Sequence, residues 1–390
     1  MHFASRVLAV AEGDRSQRIF WLTPDRFDVK PDKSSWLEMA RGLRDLGWRA
    51  EVVASCADAD TADHYDGVVT YVRSLDKPML FRLSTMLATL IYLWRQSKRG
   101  DIFIFNEDSL WLLPFFRLMG QRHLHLDIRT FPVTVLGLKQ RLNRWLFWTV
   151  PVRLFARFAN TYSFITRMLQ EMFVDEFGFD LAPSCIWESG VNLSMFGRAE
   201  AVDPSTAYTV FYHGSLYLSR GIGEVIEAMV PFTGRQDVRL VIVGLGVEID
   251  YLKARVNELG VAELVTFRGF VPYEQITGEI AGADVCICPL PDRPEWQMSS
   301  PLKVLEYMAC SKPMILTRIR AHEDMVRDAP FVVWADGSDA ADFSAAIESA
   351  MQGRVHLARS AESGPEFIRD RYEWSAHAAT LDLHLRTAKR

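Results

Sequence analysis

The chain offers no uninterrupted apolar run approaching the ~18 residues that a membrane-spanning helix requires. Its best candidate, from Phe81 to Trp94, is broken by Arg82, Ser84 and Thr85 and reads as a buried helix. Cysteine is scarce: Cys56, Cys185, Cys286, Cys288 and Cys310 are scattered and odd in number. Cys286 and Cys288 stand two apart on an expected strand, so both face one side, and no second pair completes a metal site. All five are expected to be small buried apolar residues in a reducing cytoplasm, with no metal bound. Residues 1–17 hold one early arginine and a short apolar run, then Glu12 and Asp14. They lack the longer apolar stretch and small-residue cleavage site of a secretory signal. Low-complexity tracts and repeats of solenoid period are missing too, which excludes stacked-repeat architectures.

What is present suits a globular protein of two domains. A chain of 390 residues is long for one core and comfortable for two of similar size. Apolar residues make up 49% and charged residues 24%, the balance of a chain that buries a core. The net charge of −5 conceals an asymmetry. Residues 73–167 hold 15 Lys and Arg against 5 Asp and Glu, whereas the chain after residue 195 holds 20 against 27. One half is therefore suited to an anionic partner. No nucleic-acid partner is expected.

β-rich runs alternate with amphipathic ones. In the first half, runs near residues 19–22, 50–54, 102–105, 124–128 and 163–166 read as strands. Between the first two, Trp36, Met39, Ala40, Leu43 and Leu46 share a helical face, and Gly47 supplies a stop. A second series of strands is expected near 209–212, 239–243, 265–268, 285–288, 314–316 and 331–333. Helical patterns at 222–230, 249–259, 273–281, 301–310 and 340–351 separate them. Such alternation implies α/β architecture, with two parallel sheets each covered by helices on both faces. Two doubly wound domains facing across a cleft are expected, at residues 1–190 and 191–365, followed by a last segment at 366–390. The linker falls near Glu188 to Thr206, which contains Gly190, Gly197, Asp203, Pro204 and Ser205. Ligands in such sheets bind beyond the carboxyl ends of strands, which singles out the loops after Tyr212, Val243, Arg268 and Pro289.

The most informative segment is Met298-Ser-Ser-Pro-Leu-Lys-Val-Leu-Glu306-Tyr-Met-Ala-Cys310. A polar loop runs into a helix with Pro301 in its first turn, where a missing N–H costs nothing. The free amides of Leu302 and Lys303 then point out of the helix start, a site suited to a diphosphate. Ser299 and Ser300 are placed to cap the helix or to donate to phosphate. Glu306, a turn and a half further on, could reach a ribose and accept from both hydroxyls. A capped helix with an exposed glutamate fits the same residues equally well.

The segment resembles the signature of the retaining GT-B glycosyltransferases of family four, the glycosyl transferases group 1. One variant of that signature reads Ser-Ser-Pro-Leu-Lys-(x)2-Glu-Tyr-Met-Ala. The likeness extends along the chain. Residues 213–221, with Gly214, Arg220 and Gly221, resemble the family's first donor-side loop. A glycine there lets the backbone approach a diphosphate, and Arg220 offers a planar fork. The strand and turn ending at Gly244 and Gly246 resemble the next element, and the missing third glycine (Ile249) excludes a dinucleotide fingerprint. The stretch 267–272, with Phe270 and Val271, resembles the loop that packs on the nucleobase. Residues 283–289 resemble the strand leading to the signature, Ile186 to Asn192 the interdomain hinge, and Arg371 to Trp374 the start of a last helix that crosses back to the first domain. The resemblance implies a GT-B fold of two Rossmann-like domains, with the acceptor side in the first and the nucleotide-sugar site in the second. It implies Arg220, Lys303 and Glu306 as catalytic residues. Gly214, Ser215, Gly244, Phe270, Val271, Ser299, Ser300, Pro301 and Leu302 would form the donor site.

Departures accompany it. The family places a glutamate that contacts the donor sugar where this chain has Met298; Glu295 and Asp292 lie in the same loop, out of register. Ser215 replaces a basic residue often found after the first loop's glycine. In the first half, the loop from Thr23 to Ser35 reads Asp32-Lys33-Ser34-Ser35 where relatives carry paired glycines, so Ser34 is expected on the acceptor side. Asp127 and Arg129 end a strand near the expected cleft mouth, where an acceptor or donor role stands beside a surface ion pair. Asp58 and Asp60 match a metal motif of another fold by chance, and His213 and His322 read as structural or peripheral. The segment from Lys139 to Phe158 interleaves Arg141, Arg144, Arg153 and Arg157 with aromatic residues, as a helix lying on an anionic membrane would. A helix packed on its own sheet is the other reading, and Pro151 interrupts the periodicity.

These features imply transfer of a hexose, with retention, from a nucleoside diphosphate sugar to a glycan or lipid-linked acceptor. The donor is a co-substrate, and no cofactor or metal is expected. Cell-surface polysaccharide or glycoconjugate assembly at the inner face of a membrane is the implied setting. A non-catalytic nucleotide-sugar-binding protein, motivated by Met298, and a nucleotide-sugar epimerase are the alternatives.

Overall fold

The computed structural model describes residues 17–27, 33–56, 64–75, 77, 80–130, 137–179, 183–197 and 207–387. Asp32, Asp58, Asp60, Asp203, Pro204 and Ser205 lie outside these residues. The chain forms two compact units, one of Met1–Trp187 with Trp374–Arg390 and one of Glu188–Glu373.

The first unit is built on seven strands: β1 (Arg18–Arg26), β2 (Arg49–Ser55), β3 (Val69–Tyr71), β4 (Ile102–Asn106), β5 (His123–Ile128), β6 (Thr161–Phe164) and β7 (Ser184–Ile186). They pair in the order β3-β2-β1-β4-β5-β6-β7, every pair parallel. β1 is internal, with Trp21 in register with Val52 on one side and Ile104 on the other. Strands covered on both faces need apolar residues at every position, so Ile19 to Leu22 and Ile102 to Phe105 run without alternation. The three-residue strands β3 and β7 carry too few side chains to show a period, and sequence patterning passes over them.

Two helical expectations change. The helix Lys33–Asp45 buries Trp36, Met39, Ala40 and Leu43, but Leu46 falls beyond its end and is exposed. The helix Phe81–Gln96 is not buried: it turns Thr85, Thr89 and Leu93 inward and leaves Leu83, Leu87, Ile91 and Trp94 in solvent. The final helix, Trp374–Thr387, packs on Lys33–Asp45 through small residues. A Cβ on Gly42 would stand only 2.6 Å from that of Ala378.

The second unit holds β8 (Tyr208–His213), β9 (Val238–Val243), β10 (Val265–Gly269), β11 (Val285–Cys288), β12 (Met314–Thr317) and β13 (Val332–Ala335). Their order is β10-β9-β8-β11-β12-β13, again parallel throughout. Alternate residues enter two separate cores. Phe211, Val243, Cys286, Cys288 and Leu316 face the helix Leu302–Ala309, while Val210, Tyr212, Ile242, Ile287 and Ile315 face the helices Ile222–Glu227 and Ala340–Gln352. The sheet is thus doubly wound, and Cys286 and Cys288 share a face as their spacing requires. In both units the strand order reverses beside the first strand, between β1 and β4 and between β8 and β11. A crevice opens at such a point because the two flanking loops leave in opposite directions.

At the β8–β11 reversal the loops meet so closely that side chains are excluded. Gly221 has φ +79°, and a Cβ there would stand 1.9 Å from the Pro289 carbonyl oxygen. Gly244, at φ +139°, would place a Cβ 1.9 Å from the Gly214 carbonyl oxygen. Beneath these loops His322 is fully buried, with Nδ1 2.8 Å from the Thr317 carbonyl and Nε2 3.5 Å from Cys288 Sγ. Burial pulls its pKa down to about 4, the Thr317 bond opposing and the Lys303 charge assisting.

Gly221→Ala is expected to destabilise the chain well beyond Gly260→Ala, whose site shares a positive φ of +69° but has no atom within 4 Å of a new Cβ. Positive φ alone costs about 1–2 kcal/mol, so urea unfolding of both variants isolates the loop contact as the difference. His322 is neutral when folded and titrates near 6.5 when unfolded. Its contribution is therefore present above that value and is lost as pH falls from about 6.5 toward 4. Between pH 7 and pH 5 the loss amounts to about 2 kcal/mol, and His322→Gln should flatten that part of the stability–pH curve.

Candidate functional site

The site forms at the carboxyl ends of β8 and β11. Its floor is three loops that continue the sheet's hydrogen bonding past the strands. The Gly214 amide donates to the Val243 carbonyl (3.0 Å), Gly244 to Gly269 (2.8 Å) and Leu216 to Leu245 (2.9 Å). Since both Gly214 and Gly244 have positive φ, the backbone itself forms this surface. Ser215 accepts the Tyr212 hydroxyl at its carbonyl, which holds the turn against the strand (3.1 Å).

Lys303 comes up beneath Gly214 from the helix Leu302–Ala309 and is only 7% exposed. Its ammonium stands 3.9 Å from the centre of the Tyr212 ring and has no hydrogen-bond partner among the described residues. A Cβ on Gly214 would lie 2.9 Å from Nζ, so the glycine keeps the way to that charge open. Arg220 stands over the Trp296 ring, 5.1 Å from its centre, and Trp296 is fixed by a bond from Nε1 to the Ser219 carbonyl (2.8 Å). Both cations bear on one place. The buried Cys288 thiol is pushed up by burial, and the charges of Lys303 and Arg220 each pull it back.

The helix start differs in detail from the sequence expectation. Pro301 is the N-cap, with extended backbone, rather than a member of the first turn. Neither Ser299 nor Ser300 caps the helix. Ser299 donates to the Trp296 carbonyl (2.7 Å). Ser300 is buried and pairs with Ser189, accepting its amide at Oγ (3.0 Å) and its hydroxyl at the carbonyl (2.6 Å). The hinge sequence is thereby fastened to the signature, a tie that no local pattern reveals. The first backbone bond near the helix start runs from the Val304 amide to Pro301 (3.1 Å), and the amides of Leu302 and Lys303 precede it.

Glu306 is 2% exposed, so the exposed-glutamate alternative is excluded. Tyr273 donates to its Oε1 (2.8 Å), and His213 Nε2 lies 3.1 Å from Oε2, not aligned as a hydrogen bond. His213, which the sequence sets next to the Gly214 loop, thus lies beside Glu306. Tyr273, Tyr212 and Trp296 were missed because aromatic residues at loop ends look like core. The loop Gly269–Pro272 separates its two candidates: Val271 packs on the core, while Phe270 is 72% exposed. In the 289–301 loop Met298 is buried. Asp292 is exposed and accepts from Gln297 (2.5 Å), whereas Glu295 has a buried Oε2 with no hydrogen-bond partner among the described residues.

In the first unit Asp127 and Arg129 are both buried, which removes the surface ion pair. Asp127 accepts the Ser163 hydroxyl (2.6 Å), and Ser163 accepts from Trp187 Nε1 (3.2 Å). With its proton committed to Asp127, Ser163 also accepts from His125 Nε2 (2.7 Å), leaving Nδ1 to accept from Thr161 (2.8 Å). Burial holds His125 well below its usual pKa, so the ring is neutral. Arg129 stacks on the Trp187 ring at 3.5 Å and donates to its carbonyl (2.7 Å). These residues form a buried internal network. Ser34 lies near the start of the helix Lys33–Asp45, half-buried.

Comparisons with known proteins bear on the second unit and on the fold. Residues 207–353 match the family model described as glycosyl transferases group 1. The GDP-mannose-dependent alpha-(1-6)-phosphatidylinositol monomannoside mannosyltransferase of Mycolicibacterium smegmatis is 25% identical over 242 residues, 57% of this chain and 61% of that one. The chain thus spans less than two thirds of that relative's length. Sucrose-phosphate synthase from Thermosynechococcus elongatus superposes with a TM-score of 0.78 at 16% identity, covering 95% of this chain and 98% of that one. Anabaena HepE in complex with UDP gives 0.73 at 15% identity, covering 95% and 100%. The chain therefore has the GT-B fold of glycosyltransferases, and residues 207–353 carry its likeness to the group 1 glycosyl transferases.

Proposed function

We propose that this chain is a retaining glycosyltransferase that moves a hexose from a nucleoside diphosphate sugar to a glycan or lipid-linked acceptor. Its setting would be cell-surface polysaccharide or glycoconjugate assembly. The observation that carries the donor class is the Lys303 ammonium, buried without a hydrogen-bond partner among the described residues, beneath a glycine loop and beside Arg220. A buried charge left unpaired is costly, and a diphosphate entering over Gly214 would pair it. The mycobacterial relative is named for GDP-mannose, and HepE complexes hold UDP and UDP-glucose. These support a nucleoside diphosphate sugar without choosing between the bases.

In this reading the bond from the anomeric carbon to the β-phosphate oxygen breaks, and negative charge gathers on that oxygen. The Leu302 and Lys303 amides, the Lys303 ammonium and Arg220 supply fixed positive potential there, so no metal ion is required. The acceptor hydroxyl attacks from the leaving group's face and passes its proton to the departing phosphate, which gives retention. Glu306, held by Tyr273, accepts from the ribose hydroxyls, and the exposed Phe270 packs on the base. Glu295, with its unpartnered oxygen, takes the contact to the sugar that Met298 is unable to make.

Lys303→Met is expected to lower kcat/KM by about a hundredfold or more while leaving the ligand-free protein as stable as before, or more stable, because an unpaired charge is removed. Calorimetric titration with UDP and GDP, beside thermal unfolding, checks both. A variant that binds nucleotide normally but unfolds early would make Lys303 a structural residue. Release of nucleoside diphosphate without isomerised sugar separates a transferase from an epimerase, and intact donor binding without turnover indicates a binding protein. Glu295→Gln should raise the donor KM and blur discrimination between sugars, while Asp292→Asn leaves both unchanged; the reverse ranking would reassign the sugar contact.

A further inference from the structure

The first unit has a surface whose polarity is inverted. The helix Phe81–Gln96 buries Thr85 and Thr89, and Thr85 satisfies its hydroxyl within the helix by donating to the Phe81 carbonyl (2.9 Å). Its outer face carries Leu83, Leu87, Ile91 and Trp94, spaced by three or four residues, with Trp94 70% exposed. The neighbouring helix Leu113–Leu118 adds Phe115 and Leu118, the latter 85% exposed. Between the two runs an apolar groove of about 390 Å³, lined by Leu90, Ile91, Trp94, Phe115, Leu118 and Met119. Scattered exposed leucines need no explanation, but a contiguous stripe of this size marks an interaction surface.

The surface continues into the basic segment noted in the sequence. The Trp111 ring lies 5.1 Å from that of Phe155, which joins the two regions. Pro151 does not break that segment, because a π-helical turn at Trp145–Thr149 takes up the misfit before the helix Val150–Phe155. Leu138, Leu142 and Trp145 are exposed there, alongside Arg141.

Charge identifies the partner. Residues 80–100, 111–126 and 137–158 contain no aspartate or glutamate. Arg95, Lys98, Arg99, Arg117 and Arg122 are exposed around the stripe and make no ion pair among the described residues. A second copy docking by the same face would set these cations against themselves. A surface with an apolar centre and a predominantly basic rim matches a bilayer with phosphate headgroups over acyl chains. Among the described residues no helix is long and apolar enough to cross a membrane.

We propose that this face, from Leu83 to Met119 with the adjoining 138–158 segment, docks on an anionic lipid bilayer, with the helix Phe81–Gln96 lying in the interfacial plane. The apolar stripe enters the acyl region, an acyl chain fills the groove, and the flanking cations meet the lipid phosphates. This does not depend on the glycosyl-transfer reading, since none of its residues belongs to the second unit.

Co-sedimentation of the full chain with vesicles tests it. Vesicles of phosphatidylcholine with roughly one third phosphatidylglycerol should retain the protein, and pure phosphatidylcholine should retain far less. Leu83→Ser/Leu87→Ser/Trp94→Ser should reduce the bound fraction about tenfold or more, with nucleotide affinity unchanged and thermal stability equal or higher. Arg95→Gln/Lys98→Gln/Arg99→Gln should remove the preference for anionic vesicles. Equal retention by both compositions, or wild-type binding by the triple-serine variant, would overturn the proposal. So would a dimer in solution that the serine variant splits while vesicles retain nothing, which would give the face to a second copy.

Discussion

A single buried ammonium sets the requirements for the second unit. Lys303 rises from the first turn of its helix to stand against the Tyr212 ring, and the quadrupole of that ring gives it partial compensation. Everything above it must stay thin. Gly214 cannot carry a side chain without meeting Nζ, and Gly244 cannot carry one without meeting Gly214. Gly221 lets the β8 loop close on the β11 loop at Pro289, which brings Arg220 and its Trp296 support to the same crevice. The glycines, the strand reversal and the two cations are one construction, in which backbone replaces side chain above a buried positive charge.

The neighbouring groups follow the opposite rule. Glu306 is buried yet satisfied by Tyr273, so it is preorganised without being strained. Ser300 is spent on Ser189, and Ser299 on its own turn, which leaves the amides rather than hydroxyls at the helix start to meet a ligand. Polar residues that a motif presents as interchangeable donors are therefore divided by tertiary contacts into fasteners and ligand groups.

The first unit keeps its polarity inside and its apolar residues outside along one face. The network of His125, Asp127, Ser163 and Trp187 is buried, and His125 stays neutral because desolvation disfavours its charge. Meanwhile Leu118 and Trp94 face solvent near Arg95, Arg99 and Arg117, which make no ion pair among the described residues, and the proposed lipid contact rests on that distribution.

The sequence by itself determined the alternation of strands and helices, the two parallel sheets, the glycine loops and the Ser-Ser-Pro-Leu-Lys helix start. These are local signals: continuous apolar runs of strand length, 3.6-residue spacing, and residues whose backbone freedom is unusual. It could not determine which face of the helix Phe81–Gln96 is buried, because threonine and leucine both suit a helix and only its neighbours decide what is covered. It left Glu306 open between solvent and ribose, since the answer depends on Tyr273, 33 residues away. It did not show that Pro301 is the N-cap or that Ser300 is held by Ser189, 111 residues away. Periodicity records what a residue prefers, and tertiary packing decides which of its preferences are met.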